Sequence, residues 1–303
     1  QSFNMSSSLE YYIPGYSETI YPVIVGAVLA IGTALVIFGG VHRIGFITSV
    51  LVPIMAGSYL LIGLYTIVTN ISELPHVFFM ILSQAFDFQA FAGGMAGSAV
   101  VIGIKRGLFS NEAGMGSAPN ASASASVSHP AKQGMVQVLS VFIDTLLICS
   151  ATAMMLLLSG VEGKTGGLDG IPFVQKAVSA NVGNWGIHFI TLSIFAFAFS
   201  SLIGNYYYAE SNILFIKNNK KLLFVFRITC ILAVFFGAQA DFSMMWNIAD
   251  ITMGCMATVN IIVILILGNK AIRVLKDYEK QKKEGKDPVF SAKDVGIDNA
   301  DCW

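Results

Sequence analysis

Charge is what this sequence has least of. Only 12% of its 303 residues are Asp, Glu, Lys or Arg, about half the share of an ordinary soluble domain. Such a chain cannot clothe a large water-facing surface. Its 18 acidic and 18 basic residues cancel, which removes the long-range attraction that a nucleic-acid partner would need. Cysteine is scarce too. Cys149, Cys230, Cys255 and Cys302 include no CxxC pair, so neither a disulfide framework nor a zinc site is indicated. The first three fall in apolar runs, where cysteine reads as a small buried hydrophobe. No signal peptide precedes the first apolar run, and the first residue is Gln. A fragment of a longer protein is therefore expected.

What the chain has in abundance is apolar sequence: 55% hydrophobic residues and a mean hydropathy of +0.69. Runs near ~20 residues match the thickness of a bilayer core. The expected class is an all-α polytopic membrane protein of seven transmembrane helices, near 20–40, 46–69, 88–104, 132–159, 185–208, 221–238 and 243–268. Two shorter amphipathic stretches, 72–87 and 171–183, read as interfacial helices. The region from Asn269 to Trp303 reads as a polar, Lys-rich cytoplasmic tail. With the N-terminus outside, 16 of the 18 basic residues fall on the cytoplasmic side and only Lys164 and Lys176 outside. That segregation orients the chain.

Polar groups inside apolar runs are the functional candidates, because each costs free energy in lipid unless it meets a cavity or a partner. Asp144 lies near mid-span in "SVFIDTLLICS". It can contact a cation or a substrate ammonium, or bond to neighbouring helices. Thr145, Ser150 and Thr152 beside it read as hydroxyls bonded back to their own helix. Trp246 and Asp250 are four apart in the last span and share a helix face, where an indole and a carboxylate can flank an ammonium group. Ser200-Ser201 offers oxygen ligands to sodium, or glue between helices. Gly93, Gly94, Gly97 and Gly103 make the third span easy to unwind, or small enough to pack closely. Asn111 and Glu112 follow at its inner end, as a gate or a helix junction. The Ala/Ser run after them reads as a closely packed small-residue helix leading to His129-Pro130, a solvated helix start.

Several stretches carry a family resemblance. "RGLFSNEAGMGSAPNASASASVSHPAKQGMVQVLSVFIDT", "LVIFGGVHRIGFITSVLVPIMA", "FAFSSLIGNYYYAE" and "MWNIADITMGCMATVN" resemble the alanine or glycine:cation symporters, and the tail through "NADCW" is similar as well. Asn205 and Ala209 depart from that pattern. The resemblance implies a partial LeuT-type inverted-repeat fold. Residues 1–70 would hold the last two helices of repeat one, 71–268 an interfacial helix and repeat two, and 269–303 the tail. A Gly-rich first core helix would precede Gln1. The implied activity is symport of alanine or glycine with sodium, less readily a proton, across a bacterial inner (plasma) membrane. No cofactor is implied beyond sodium as coupling ion. The partners are the amino acid, sodium and the lipid bilayer. Gly93, Gly94, Gly97, Asp144 and Trp246 are then candidates for the substrate, and Ser200 and Ser201 for sodium. The rivals are a seven-span receptor and, remotely, an intramembrane aspartyl protease using Asp144 and Asp250; a serine protease built on Ser117 or Ser128 with His129 is weaker still.

Overall fold

The computed structural model describes residues 1–39, 42–85, 95–112, 114–162, 167 and 169–297, and among these every regular element is helical. In chain order the first helices are α1 (Ser2–Ser7), α2 (Tyr21–Gly39), α3 (His42–Thr69), α4 (Leu74–Ala85), α5 (Met95–Asn111) and α6 (Ser117–Ala123). They continue as α7 (Pro130–Leu157), α8 (Gly170–Val182), α9 (Trp185–Ile216), α10 (Lys220–Gly237) and α11 (Phe242–Lys283). Both stretches expected as short helices between spans are helical, as α4 and α8.

Five described helices are long and apolar enough to cross a membrane: α2, the part of α3 over Val52–Thr69, α7, α9 and α11. Two of the seven expected spans fall short for visible reasons. Of the stretch 88–104, only the part from Met95 is described, and α5 ends its 17 residues with Lys105 and Arg106 in the last turns. The 18 residues of α10 include Lys220, Lys221 and Arg227. Gly93 and Gly94 lie outside the described residues. Gly97 lies within the first turn of α5, and a Cβ on Gly103 would meet nothing within 4 Å among the described residues.

The chain divides into two compact units, Gln1–Ala96 with Leu147–Ile248, and Gly97–Leu146 with Ala249–Trp303. In the first, α9 is the hub. Ala198 packs with Met5, Leu29, Val234 and Ala238, joining α1, α2 and α10 to it. Ile190 packs with Ile62, Met155 and Val178, joining α3, α7 and α8. In lipid, burial of apolar area does not drive such packing; close van der Waals fit does. Two glycines permit the fit. A Cβ on Gly26 would stand 2.8 Å from the Phe235 carbonyl oxygen, and one on Gly63 2.7 Å from the Ala151 Cβ. The first unit also holds an apolar cavity of about 680 Å³, lined among others by Thr33, Asn205, Tyr206 and Cys230. Beside the lining residue Tyr206, Arg227 donates to Glu210 (2.7 Å) and to Tyr206 (3.0 Å) and lies over Phe38.

Helix α11, which lies in the second unit from Ala249 onward, is far longer than a span. Its 42 residues reach roughly 63 Å at 1.5 Å per residue, about twice the hydrocarbon core. The expected tail from Asn269 is therefore helical to Lys283. Lys280, Lys282 and Lys283 face the negative end of the helix dipole in the last turn. Gly285, at φ +72°, then closes the helix in a left-handed turn, with the Lys286 amide donating to the Gln281 carbonyl (3.0 Å). The Ala/Ser run is helical only over Ser117–Ala123. Ser122 and Ser124 hydroxyls and the Asn120 amide bond back to carbonyls three or four residues earlier, which competes with helix propagation. Cys149 and Cys230 are half-buried and Cys255 is exposed, so none is the fully buried small hydrophobe expected.

Candidate functional site

The apolar span α7 changes its backbone ladder partway along. Pro130–Phe142 is α-helical, Ile143–Cys149 is π-helical, and Ser150–Leu157 is α-helical again. A π segment widens the helix by one residue per turn and often marks a functional position. Asp144 and Thr145 open that segment, and both are engaged by the end of α5 in the same unit. The Ser110 hydroxyl donates to Asp144 Oδ2 at 2.6 Å, and the Thr145 hydroxyl donates to Asn111 Oδ1 at 2.9 Å. Thr145 thus links two helices, whereas Thr152 does bond back, to the Ile148 carbonyl, while also meeting the Tyr59 hydroxyl. The short Ser110–Asp144 distance is that of a charge-assisted bond, which fixes the carboxylate.

Just past Asn111 the chain leaves the helix through Glu112 at φ +51°, then Gly114 at +80° and Gly116 at +99°. Glu112 is the only described non-glycine residue in that left-handed region. Asn260 of α11 holds the junction, its side-chain amide donating to the Gly114 carbonyl at 3.0 Å and its Cβ lying 3.2 Å from where a Gly116 Cβ would be. In the sequence the only mark of Asn260 is a single amide in the apolar run "ATVNIIVILIL". Asn111 and Glu112 therefore sit at a helix junction braced from two sides.

Asp250 has a different surrounding from the one expected. Its carboxylate is paired with Lys105 (3.4 Å) and Arg106 (3.2 Å) of α5. The charge is matched by two cations rather than offered with Trp246 to an ammonium group. Trp246 belongs to the first unit, where it packs on Phe242, and Phe242 on Phe3. Ser200 and Ser201 also belong to the first unit. The Ser200 hydroxyl donates to the Phe197 carbonyl (2.9 Å), and Ser201 is exposed. The candidate residues accordingly divide between the units: Gly97, Asn111, Glu112 and Asp144 in the second, Trp246, Ser200 and Ser201 in the first.

His129 departs furthest from expectation. It is fully buried rather than solvated, and it caps α7 by accepting the Ala131 amide hydrogen on Nδ1 (3.1 Å). Its other nitrogen then carries the proton and faces Asp277 Oδ2 at 3.3 Å. A ring so committed cannot serve Ser117 or Ser128 as a base, and Ser128 itself donates to the Pro288 carbonyl. The paired Asp250 likewise does not resemble one half of a proton-sharing carboxylate dyad.

All-helical structure among the described residues, with five helices long and apolar enough to cross a membrane, points to a polytopic α-helical membrane protein. The profile of the sodium:alanine symporter family matches residues 1–292, and the chain belongs to that family. It is a multi-pass protein of the plasma membrane. It is 50% identical over 282 residues to the amino-acid carrier protein AlsT of Bacillus subtilis, an alignment covering 93% of this chain and 60% of that one. The probable sodium/glutamine symporter GlnT of the same organism is 45% identical over 280 residues, covering 92% and 58%. The sodium/alanine symporter AgcS of Methanococcus maripaludis is 38% identical over 264 residues, covering 86% and 58%. The chain thus spans about three-fifths of the length of these relatives.

Proposed function

We propose that the protein to which this chain belongs carries a small neutral amino acid, alanine or glycine, across the membrane together with sodium. The observation that carries the reading is Asp144: a carboxylate opening a π-helical segment within an apolar span, oriented by Ser110. Such a group is retained in lipid where it meets a charged or strongly polar ligand. On this reading Asp144 meets the substrate ammonium, and Gly93, Gly94, Gly97 and Trp246 are further candidates for substrate contact. Ser200 and Ser201 supply oxygen ligands to sodium. The seven-span, partial LeuT-type arrangement, a second repeat preceded by the last two helices of the first, belongs to the same proposal. The coupling ion supplies the driving force, about 2.3 kcal/mol per charge per 100 mV.

The test is uptake of labelled alanine into proteoliposomes under an imposed sodium gradient, with glycine and glutamine as competitors. Sodium-dependent uptake that Asp144→Asn abolishes supports the reading. Uptake indifferent to sodium removes the coupling, and ligand binding with no flux favours a receptor instead.

A further inference from the structure

The last described stretch of the chain is one of the better-packed places in the second unit. Pro288 is fully buried, and Phe290 and Ala292 are buried as well. Both sides of the segment Asp287–Phe290 are bonded. Toward α11, Gln281 clamps the backbone of Val289, its amide donating to the carbonyl (2.9 Å) and its oxygen accepting the amide hydrogen (3.0 Å). Toward α7, the Phe290 amide donates to the Ser128 carbonyl (2.9 Å) and the Ser128 hydroxyl to the Pro288 carbonyl (3.1 Å). Lys132 on the first turn of α7 donates to both Ser128 Oγ (2.7 Å) and Asp287 Oδ1 (2.6 Å).

His129 stands at the centre of this arrangement. It caps α7, faces Asp277 on α11, and meets the rings of Tyr278 and Phe290 edge-on at 5.2 and 5.3 Å. Gln281 also donates to Asp277 (2.8 Å), so the clamp on the segment and the bond to His129 share one carboxylate. From this anchor the α-helix Pro130–Phe142 leads into the π segment that holds Asp144. The fourteen-residue step from Pro130 to Asp144 is roughly 21 Å of hydrogen-bonded rod. One end of the rod is held by His129 and the segment, the other by Ser110 at Asp144.

We propose that Asp287–Phe290 is a latch that fixes the inner end of α7 to the extension of α11, with His129 as its positioning residue, and so sets where Asp144 lies against Ser110. The latch does not touch the substrate; it acts through the rod. The link to transport rests on the reading of Asp144 given above, but the latch and its hold on Asp144 can be measured without transport.

The test uses the full chain in proteoliposomes with the inner face accessible, its native cysteines replaced by alanine and an epitope tag at the C-terminus. Trypsin cleavage after Lys286 reads the latch. A disulfide between Asn111→Cys and Thr145→Cys reads the position of α7 against α5. Phe290→Ala and Gln281→Ala each speed cleavage at least ten-fold and lower the disulfide yield at least three-fold. His129→Asn, which keeps a capping acceptor but does not reach Asp277, gives an intermediate effect. A monodisperse size-exclusion profile for each variant shows that the fold is kept. Unchanged cleavage in both Phe290→Ala and Gln281→Ala overturns the latch, and faster cleavage with an unchanged disulfide yield overturns its positioning role. If both readouts move as expected in a protein that takes up no alanine, the latch stands and the symport reading fails.

Discussion

The Ser110 hydroxyl donates to Asp144 Oδ2 across 2.6 Å, and one residue further along each helix the Thr145 hydroxyl donates to Asn111. The two bonds lie side by side but differ in kind, since only the first has an ionisable partner. A hydrogen bond to a charged group contributes about 1.5–3 kcal/mol, against about 1 for a neutral one. Ser110→Ala is therefore expected to lower the catalytic efficiency of sodium-dependent uptake by roughly 10- to 100-fold, at about 1.4 kcal/mol per decade. Thr145→Val, exposed and uncharged, should cost no more than a few-fold. Equal losses for the two variants would mean that both bonds merely join α5 to α7.

The contact of Gly63 with Ala151 gives a test of how α3 and α7 approach. A methyl on Gly63 would meet the Ala151 Cβ at 2.7 Å, and neither atom can rotate away. Overpacking of this kind typically costs 1–3 kcal/mol. Gly63→Ala should lower the thermal midpoint, and adding Ala151→Gly should restore most of the loss, less about 1 kcal/mol for the new helical glycine. Failure of the double variant to recover would show that Gly63 serves flexibility rather than proximity.

How much of this was legible in the sequence differs between local and distant features. The run that became α2 was bounded within a residue at each end, because apolar length decides a span almost alone. Asp144 stood out because a carboxylate in an apolar helix is costly wherever the helix packs. The π segment that begins one residue earlier left no such trace, since "IDTLLIC" reads as ordinary α-helix. Asp250 stood out for the same reason as Asp144, yet its partners Lys105 and Arg106 lie 145 and 144 residues away, and no local pattern joins them. The burial of His129 is hidden from the sequence for the same cause: it comes from Tyr278 and Phe290, which lie in a polar-looking tail.

Thr33 presents a buried hydroxyl with no hydrogen-bond partner among the described residues, on the wall of the 680 Å³ cavity in the first unit. An unsatisfied buried polar group costs about 1–3 kcal/mol, whereas an apolar group of the same shape does not. Thr33→Val should accordingly raise the thermal midpoint of the purified protein, by about 1 kcal/mol or more in stability. Thr33→Ala should gain less, because it also removes a packed methyl. A destabilised Thr33→Val would indicate that the hydroxyl serves a bound ligand.

Asp287 supplies the pH dependence of the latch. The hydrogen bond from Lys132, and then its positive charge, hold the Asp287 carboxyl below its ordinary value of 3.8. A carboxyl whose folded value is depressed contributes stability above the ordinary value and loses it as pH falls through the folded value. Closure of the latch should therefore be constant from pH 8 to 5 and weaken only below about pH 4, the ordinary range of an aspartate. Hydrogen exchange at the Phe290 amide, corrected for intrinsic rate, reads this directly. Asp287→Asn should exchange faster at neutral pH and lose the acid step. Because Asp287 is 81% exposed, salt should shrink the difference between variant and wild type, as expected for a screened pair. A step centred near neutral pH that survives Asp287→Asn would assign the titration to another group and leave the Lys132–Asp287 pair without a part in closing the latch.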